Sequence, residues 1–241
     1  MKTIWISVLI LACLPTTAGC KGDRGHAGSP AERMAEAIQQ AKPMYDTLAA
    51  IRKSIPAPTA IRPKACPVEE MKTAAGQRPY LLKLTWNNLV QITGEEKLKS
   101  DVDFGGVFAA LNDPKFDLVA GPQPELWKSP DPNRLREAFE RYQAHKFAAI
   151  IYPTKVTEPV AGGVSFTPGS AKAWLLIFRL EDAALLCAAE VQAENSDSVR
   201  SSFRRIDGMS AAGQAAVKDD LRNNLQAAIR EQLQTMTGGL Q

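Results

Sequence analysis

The sequence predicts an α+β protein: a three- to four-stranded, mainly antiparallel sheet packed with helices and followed by a long C-terminal helix. Three observations predict it. Residues 147–153, 171–180 and 184–193 are apolar runs of strand length, bounded by turn residues. The last two are separated by the turn Glu181-Asp182, which makes them a hairpin. From about Ser210 to Met236, Val217, Leu221, Leu225, Ile229 and Leu233 recur every four residues, a single helical stripe.

Residues 29–54 read as the first helix. Ser29 suits the cap, Pro30 the first helical position, and Glu32 completes a capping box. Met34, Ile38, Ala41, Tyr45 and Leu48 fall on one face, and Pro43 predicts a kink or a break. The polar face carries both charge signs, so the helix is expected to cover a core rather than lie on a membrane. Pro56, Pro58, Pro63 and Pro67 then make residues 55–67 an extended, semi-rigid spacer. Beyond it, residues 68–241 are read as the globular domain.

Within that domain a strand is expected around Tyr80–Leu84, and residues 86–92 either continue it or form a short helix. Phe104, Val107, Phe108 and Leu111 make a helical stripe, weakened by Gly105-Gly106 and ended by Asp113-Pro114. Residues 121–132 read as a loop. Asp131 and Pro132 open the next helix, with Leu135, Ala138, Phe139 and Tyr142 facing the core. Opposite charges four apart, Arg136–Glu140 and Glu137–Arg141, mark its wet face.

In the run 171–180, Trp174, Leu176, Phe178 and Leu180 share one face and Ala173, Leu175 and Ile177 the other. A strand apolar on both faces is central and covered on each side. In 184–193, Leu185, Cys187, Ala189 and Val191 alternate on one face; the other drifts from Leu186 to Glu190 and Gln192. The connection 155–169 holds Gly162-Gly163 and Pro168-Gly169 and reads as a projecting hairpin or flap. Gly238-Gly239 suits a helix C-cap.

Composition narrows the function. Apolar residues make up 45% and charged residues 23% of the 241, an ordinary globular balance that excludes collagen-like, coiled-coil and wholly disordered chains. A net charge of +3 excludes a dedicated nucleic-acid binder, which carries a basic domain. The N-terminus is more specific. Lys2 precedes an apolar run at residues 4–14, too short for a span, which needs about 20 apolar residues. It reads as a signal peptide over residues 1–19.

Thr17-Ala18-Gly19-Cys20 resembles the lipobox of bacterial lipoproteins. Thr17 occupies the position where that family usually carries leucine. The resemblance implies cleavage between Gly19 and Cys20, a diacylglyceryl group on Cys20, and attachment to a membrane. Lys21, rather than aspartate, follows the cysteine, which by the same resemblance favours the outer membrane, facing the periplasm. Ordinary signal cleavage after Ala18 and an uncleaved anchor are the alternatives. Residues 20–28, Gly-rich and containing His26, read as a flexible tether.

With Cys13 in the leader and Cys20 acylated, Cys66 and Cys187 remain. An exported compartment allows them to pair. Two independent thiols are the other reading, Cys187 lying in the apolar run 183–191, which quiets a thiol.

Chemistry is sparse. His145 falls where a helix ends, a position the helix dipole favours when the ring is charged. Residues 163–167 do not make a nucleophile elbow, and no Gly-Gly pair is followed by the Lys-Ser or Lys-Thr of a phosphate loop. Asp101 and Asp103 read as caps, Glu181-Asp182 as a turn, and Asp219-Asp220 as early acidic residues complementing the last helix's dipole. No catalytic residue, metal or cofactor is therefore predicted. Two surfaces are candidates for recognition. One is the loop with Gly162, Gly163, Phe166 and Gly169. The other is an anion patch of Arg200, Arg204 and Arg205 around Phe203, whose alternative is an ordinary solvated surface.

The functional expectation is a lipid-anchored envelope protein, non-enzymatic, whose partners are the membrane and another envelope protein. A small-molecule or lipid-binding domain is the alternative and requires an apolar pocket between sheet and helices. A tethered hydrolase would require His145 in a cleft, within reach of a serine or carboxylate.

Overall fold

A computed structural model describes residues 29–75, 81–93, 131–162, 165–199 and 209–239. Cys20 and the tether, Asp101 and Asp103, the 104–111 stripe, Gly163, and Arg200, Arg204 and Arg205 lie outside the described residues. The elements are α1 (Pro30–Ser54), a 3-10 turn (Pro58–Ala60), α2 (Val68–Ala75), β1 (Leu81–Thr85), α3 (Trp86–Ile92) and α4 (Pro132–Gln143). Then come β2 (Phe147–Thr157), β3 (Val160–Gly162), β4 (Ser165–Thr167), β5 (Ser170–Arg179), β6 (Leu185–Glu194) and α5 (Met209–Thr237). One sheet has the order β1-β2-β5-β6, and β3-β4 form a second, two-stranded one. β1 pairs parallel with β2, and the remaining pairs are antiparallel. The fold is α+β.

Period-2 alternation along β5 builds both cores at once. Ala171, Ala173, Leu175 and Ile177 face one side, packed with Leu221, Leu225, Ile229 and Leu233 of α5. Trp174, Leu176 and Phe178 face the other, packed with α1 and α4 through Met44, Leu48 and Leu135. β6 departs from simple alternation. Ile177 pairs with Cys187 but Phe178 with Leu185, so Leu186 is an extra residue in a bulge. The bulge reverses the phase: Leu185 joins Phe178 on the α1 side and Leu186 joins Cys187 on the α5 side. The expectation that Leu185 shares a face with Cys187 is corrected by that one inserted residue. In β2 the strand runs to Thr157, past the expected end, with a register shift between Pro153 and Lys155, where a residue lacking N–H is tolerated.

Helix α1 starts as its sequence dictates: the Glu32 amide donates to Ser29 Oγ at 3.2 Å and the Ser29 amide to Glu32 Oε2 at 2.6 Å. It neither splits nor ends at Pro43. Gln39, which loses its bond to residue 43, and Pro43 itself both lie on the exposed side, where a freed carbonyl is open to solvent. The buried stripe is Ala37, Ala41, Met44, Leu48 and Ile51, rotated from the expected one, and Ile38 is 53% exposed. Ala37 and Ala41 are small, which lets α1 lie close against α4.

Residues 55–67 do not hold α1 apart from the domain, because α1 forms one layer of its core. They form a strap across the outer strand of the sheet. Ile61 is buried on the α1 side, Lys64 pairs antiparallel with Ala188, and Cys66 reaches the α5 side. At 86–92 the helix prevails over strand continuation. Thr85 Oγ1 accepts from the Asn88 amide at 3.2 Å and the Thr85 amide donates to Asn88 Oδ1 at 3.2 Å, a buried capping box. α5 ends in a left-handed turn at Gly238 (φ 62°), with the Gly239 amide donating to Gln234 O at 3.0 Å. A Cβ at Gly238 would stand 2.5 Å from Val68 Cγ1, so both the backbone angle and the contact with α2 require glycine there.

Candidate functional site

The connection between β2 and β5 is a hairpin, β3–β4, and α5 fixes its base. Gln214 does so twice: its Oε1 accepts from the Ala161 amide at 2.9 Å and its Nε2 donates to Pro159 O at 2.6 Å. Lys218, one turn on, pairs with Glu158 at 3.1 Å. Gly169 allows the chain to close here, since a Cβ on it would meet Thr157 O at 2.5 Å. Val160, 58% exposed, and the half-buried Phe166 lie on opposite faces of the hairpin. Gly162, Phe166 and Gly169 are therefore together in one hairpin, but held by α5 rather than free.

A polar junction joins this base to the end of β6. Asn195 Oδ1 accepts from the Gly169 amide at 2.8 Å, and its Nδ2 donates to Val217 O at 2.7 Å and Asp220 Oδ2 at 2.9 Å. Asp220 also accepts from the Ser196 amide at 2.8 Å and hydroxyl at 2.9 Å. Asn224 Nδ2 donates to Glu194 O at 2.8 Å. Asp219-Asp220 thus lie well inside α5, not in its first turn. Asp220 acts through these bonds and Asp219 pairs with Arg222 at 3.0 Å.

At the opposite end of the hairpin β5–β6, Arg179 is held by two carboxylates. Its Nη1 donates to Glu70 Oε1 at 3.0 Å and its Nη2 meets Asp182 Oδ2 at 3.0 Å. The hydrogen bond from Arg179 holds the Asp182 carboxyl below its usual range, helped by the Ala184 amide. Beside this group lies a cleft of about 540 Å³ between α1, the end of α4 and the ends of β2 and β5. Met44, Phe139, Phe147 and Leu180 supply its apolar surface; Tyr142, His145, Lys146 and Glu181 supply its polar one. Burial pushes the Tyr142 phenol up to about 12, so it is a neutral hydrogen-bonding group at neutral pH.

Cys66 and Cys187 form a disulfide, Cα atoms 4.8 Å apart. Beside it Lys64 and Ala188 exchange both backbone bonds, and Lys64 Nζ donates to Leu185 O at 2.9 Å. His145 lies at the end of α4 as expected and lines the cleft together with Glu181, whose turn is in place. The residues that sequence reasoning missed are Asn195, Gln214, Asp220 and Asn224. Their signal was present: 220 and 224 are polar and one turn apart on a helix whose other flank is apolar. Among the described residues no group of three or more His, Cys, Asp or Glu is arranged to hold a metal, and no helix is long and apolar enough to cross a membrane. No family model, curated protein or solved structure matches this chain.

Proposed function

We propose that the protein is a lipid-anchored binding protein of the bacterial cell envelope, without a catalytic role. In this reading an acylated Cys20 holds it to the outer membrane, facing the periplasm. The Cys66–Cys187 disulfide is the observation that carries it, because such bonds persist in exported, oxidising compartments and are rare in the cytosol. It joins a leader that resembles those of lipoproteins. Two acyl chains suffice for stable attachment, each buried methylene contributing about 0.8 kcal/mol. Cys20→Ala is expected to leave an unprocessed precursor or a protein released to the soluble periplasmic fraction, read by fractionation and intact mass. A correctly processed Cys20→Ala protein still in the membrane pellet would overturn the anchor.

A second reading, binding of a small lipid-like molecule, is favoured by the cleft, whose 540 Å³ falls within the roughly 300–1,000 Å³ usual for ligand sites. Titration with a dansyl-labelled fatty acid is expected to saturate, and Phe139→Asp to weaken it by about tenfold or more, the equivalent of 1.4 kcal/mol. A flat titration of the unaltered protein rejects it.

A further inference from the structure

The α5 side of β6 is buried along this stretch, with Val191 and Ala193 in the core, and among the described residues the outer edge of β6 is open over a bounded window. The strap closes one end, where the Lys64 amide donates to Ala188 O at 2.9 Å and the Ala188 amide to Lys64 O at 3.0 Å. In an antiparallel strand, alternate residues turn both backbone groups to the same side. Ala188 therefore sets the phase. The pairing of β5 with β6 is regular from Leu176–Ala188 to Ser170–Glu194, so Glu190, Gln192 and Glu194 also turn their backbone groups away from β5. The Asn195 amide, bonded to Gly169 O at 3.3 Å, agrees, being on the inward phase. The other end of the window is closed by Asn224, which donates to Glu194 O.

Between these closures Glu190 and Gln192 present two N–H and two C=O groups outward, with no hydrogen-bond partner among the described residues. Their side chains are exposed, as is that of Glu194. The beneath side of the same stretch is firm, since Val191 and Ala193 are buried in the core. Such an edge is a template for an added strand. Its own side-chain charges, Glu190 and Glu194, are both acidic, with Gln192 Nε2 donating to Glu194 Oε1 at 3.1 Å. Residues directly opposite on neighbouring strands bring their Cβ atoms to about 4.5–5.5 Å, so a basic residue across from either glutamate is favoured. A second copy of this chain is disfavoured. Antiparallel pairing centred on Gln192 sets Glu190 against Glu194 twice, and like charges directly opposite destabilise.

We propose that this window is a docking edge for an extended segment of a partner protein carrying Lys or Arg at alternate positions, added antiparallel beside β6 as a further strand. The proposal rests on the binding-protein reading and names its surface and the chemistry of its partner.

The test uses the full chain in mild detergent and a fluorescein-labelled peptide of alternating lysine and valine. Saturable binding is expected by anisotropy. N-methylation of the lysine amides, which face β6, is expected to weaken it by about tenfold or more, and N-methylation of the valine amides to leave it unchanged. Gln192→Pro removes an outward N–H without touching the β5 ladder, and the double change Glu190→Lys with Glu194→Lys removes the acidic match; each is expected to weaken binding by about tenfold. No binding by the unaltered protein, equal binding of the two methylated peptides, or unchanged affinity after charge reversal overturns the proposal. A dimer in sedimentation that Gln192→Pro abolishes overturns it in favour of a second copy. If Gln192→Pro does not fold, the methylated peptides on the unaltered protein still decide. The titration needs no membrane, so its failure is separate from failure of the Cys20→Ala experiment.

Discussion

Replacing Cys66 and Cys187 together by alanine is expected to lower the unfolding free energy by about 4–5 kcal/mol. The bond closes a loop across a sequence separation of 121, and the chain-entropy account gives this magnitude for loops of about 100 residues or more. Against a typical total of about 5–15 kcal/mol, that is a large fraction. The bond sits where it also fixes local structure, next to the single backbone pairing of the strap with β6. Cys187 is fully buried, and alanine there removes little volume. The reading is the urea midpoint of oxidised parent and double variant, with alkylation of the native exported protein followed by non-reducing peptide mapping. Two freely alkylated thiols in the native parent, or coincident midpoints, would refute it.

Phe178→Ala is expected to cost about 3–5 kcal/mol, the range for removing a buried aromatic ring. Phe178 is among the largest fully buried side chains and stands on the central strand, paired with Ala148 on one side and Leu185 on the other. Ala148 is small and strand-borne, so the walls collapse little around the void and the cavity remains. Ile38→Ala provides the contrast: at 53% exposure it is expected to stay within about 0.5 kcal/mol of the parent. Thermal and urea unfolding measure both. A loss at Phe178 below about 1 kcal/mol would show that the face between β5, α1 and α4 is not a closed core.

What the sequence made legible was what periodicity dictates locally. The four-residue recurrence from Val217 to Leu233 is the buried stripe of α5, and the two apolar sets of β5 face the two cores. The Ser29 capping box and the turn at Glu181-Asp182 are equally local. Other features escaped because they depend on residues far apart. Nothing near Leu186 announces a bulge, yet that extra residue moves Leu185 to the opposite face. Ile38 fell on the expected face by its spacing, but α1 is turned so that Ala37 and Met44 join the expected Ala41 and Leu48 in the buried stripe. The pairing of Cys66 with Cys187 could not be decided without knowing that the strap crosses β6. One local signal was legible and unused: Thr85 and Asn88, three apart, cap α3 and settle helix against strand. Of the site, His145 and the flap residues were placed in the right elements, whereas the cleft and the edge of β6 arise from neighbours that only the fold supplies.

The strap has a mechanical consequence. Tension drawn between Ser29 and the C-terminal end of α5 travels along α1 to Cys66, crosses the sulfur–sulfur bond to Cys187, and continues into β6 and α5. Everything between the two cysteines, including β1, β2 and β5, is a side ring that carries no stretch even after its hydrogen bonds are broken. With 121 positions separating the cysteines, the ring shortens the fully drawn chain by roughly 400 Å. A pull on the N-terminal end is thus delivered to the outer strand of the sheet, while its central strand is spared.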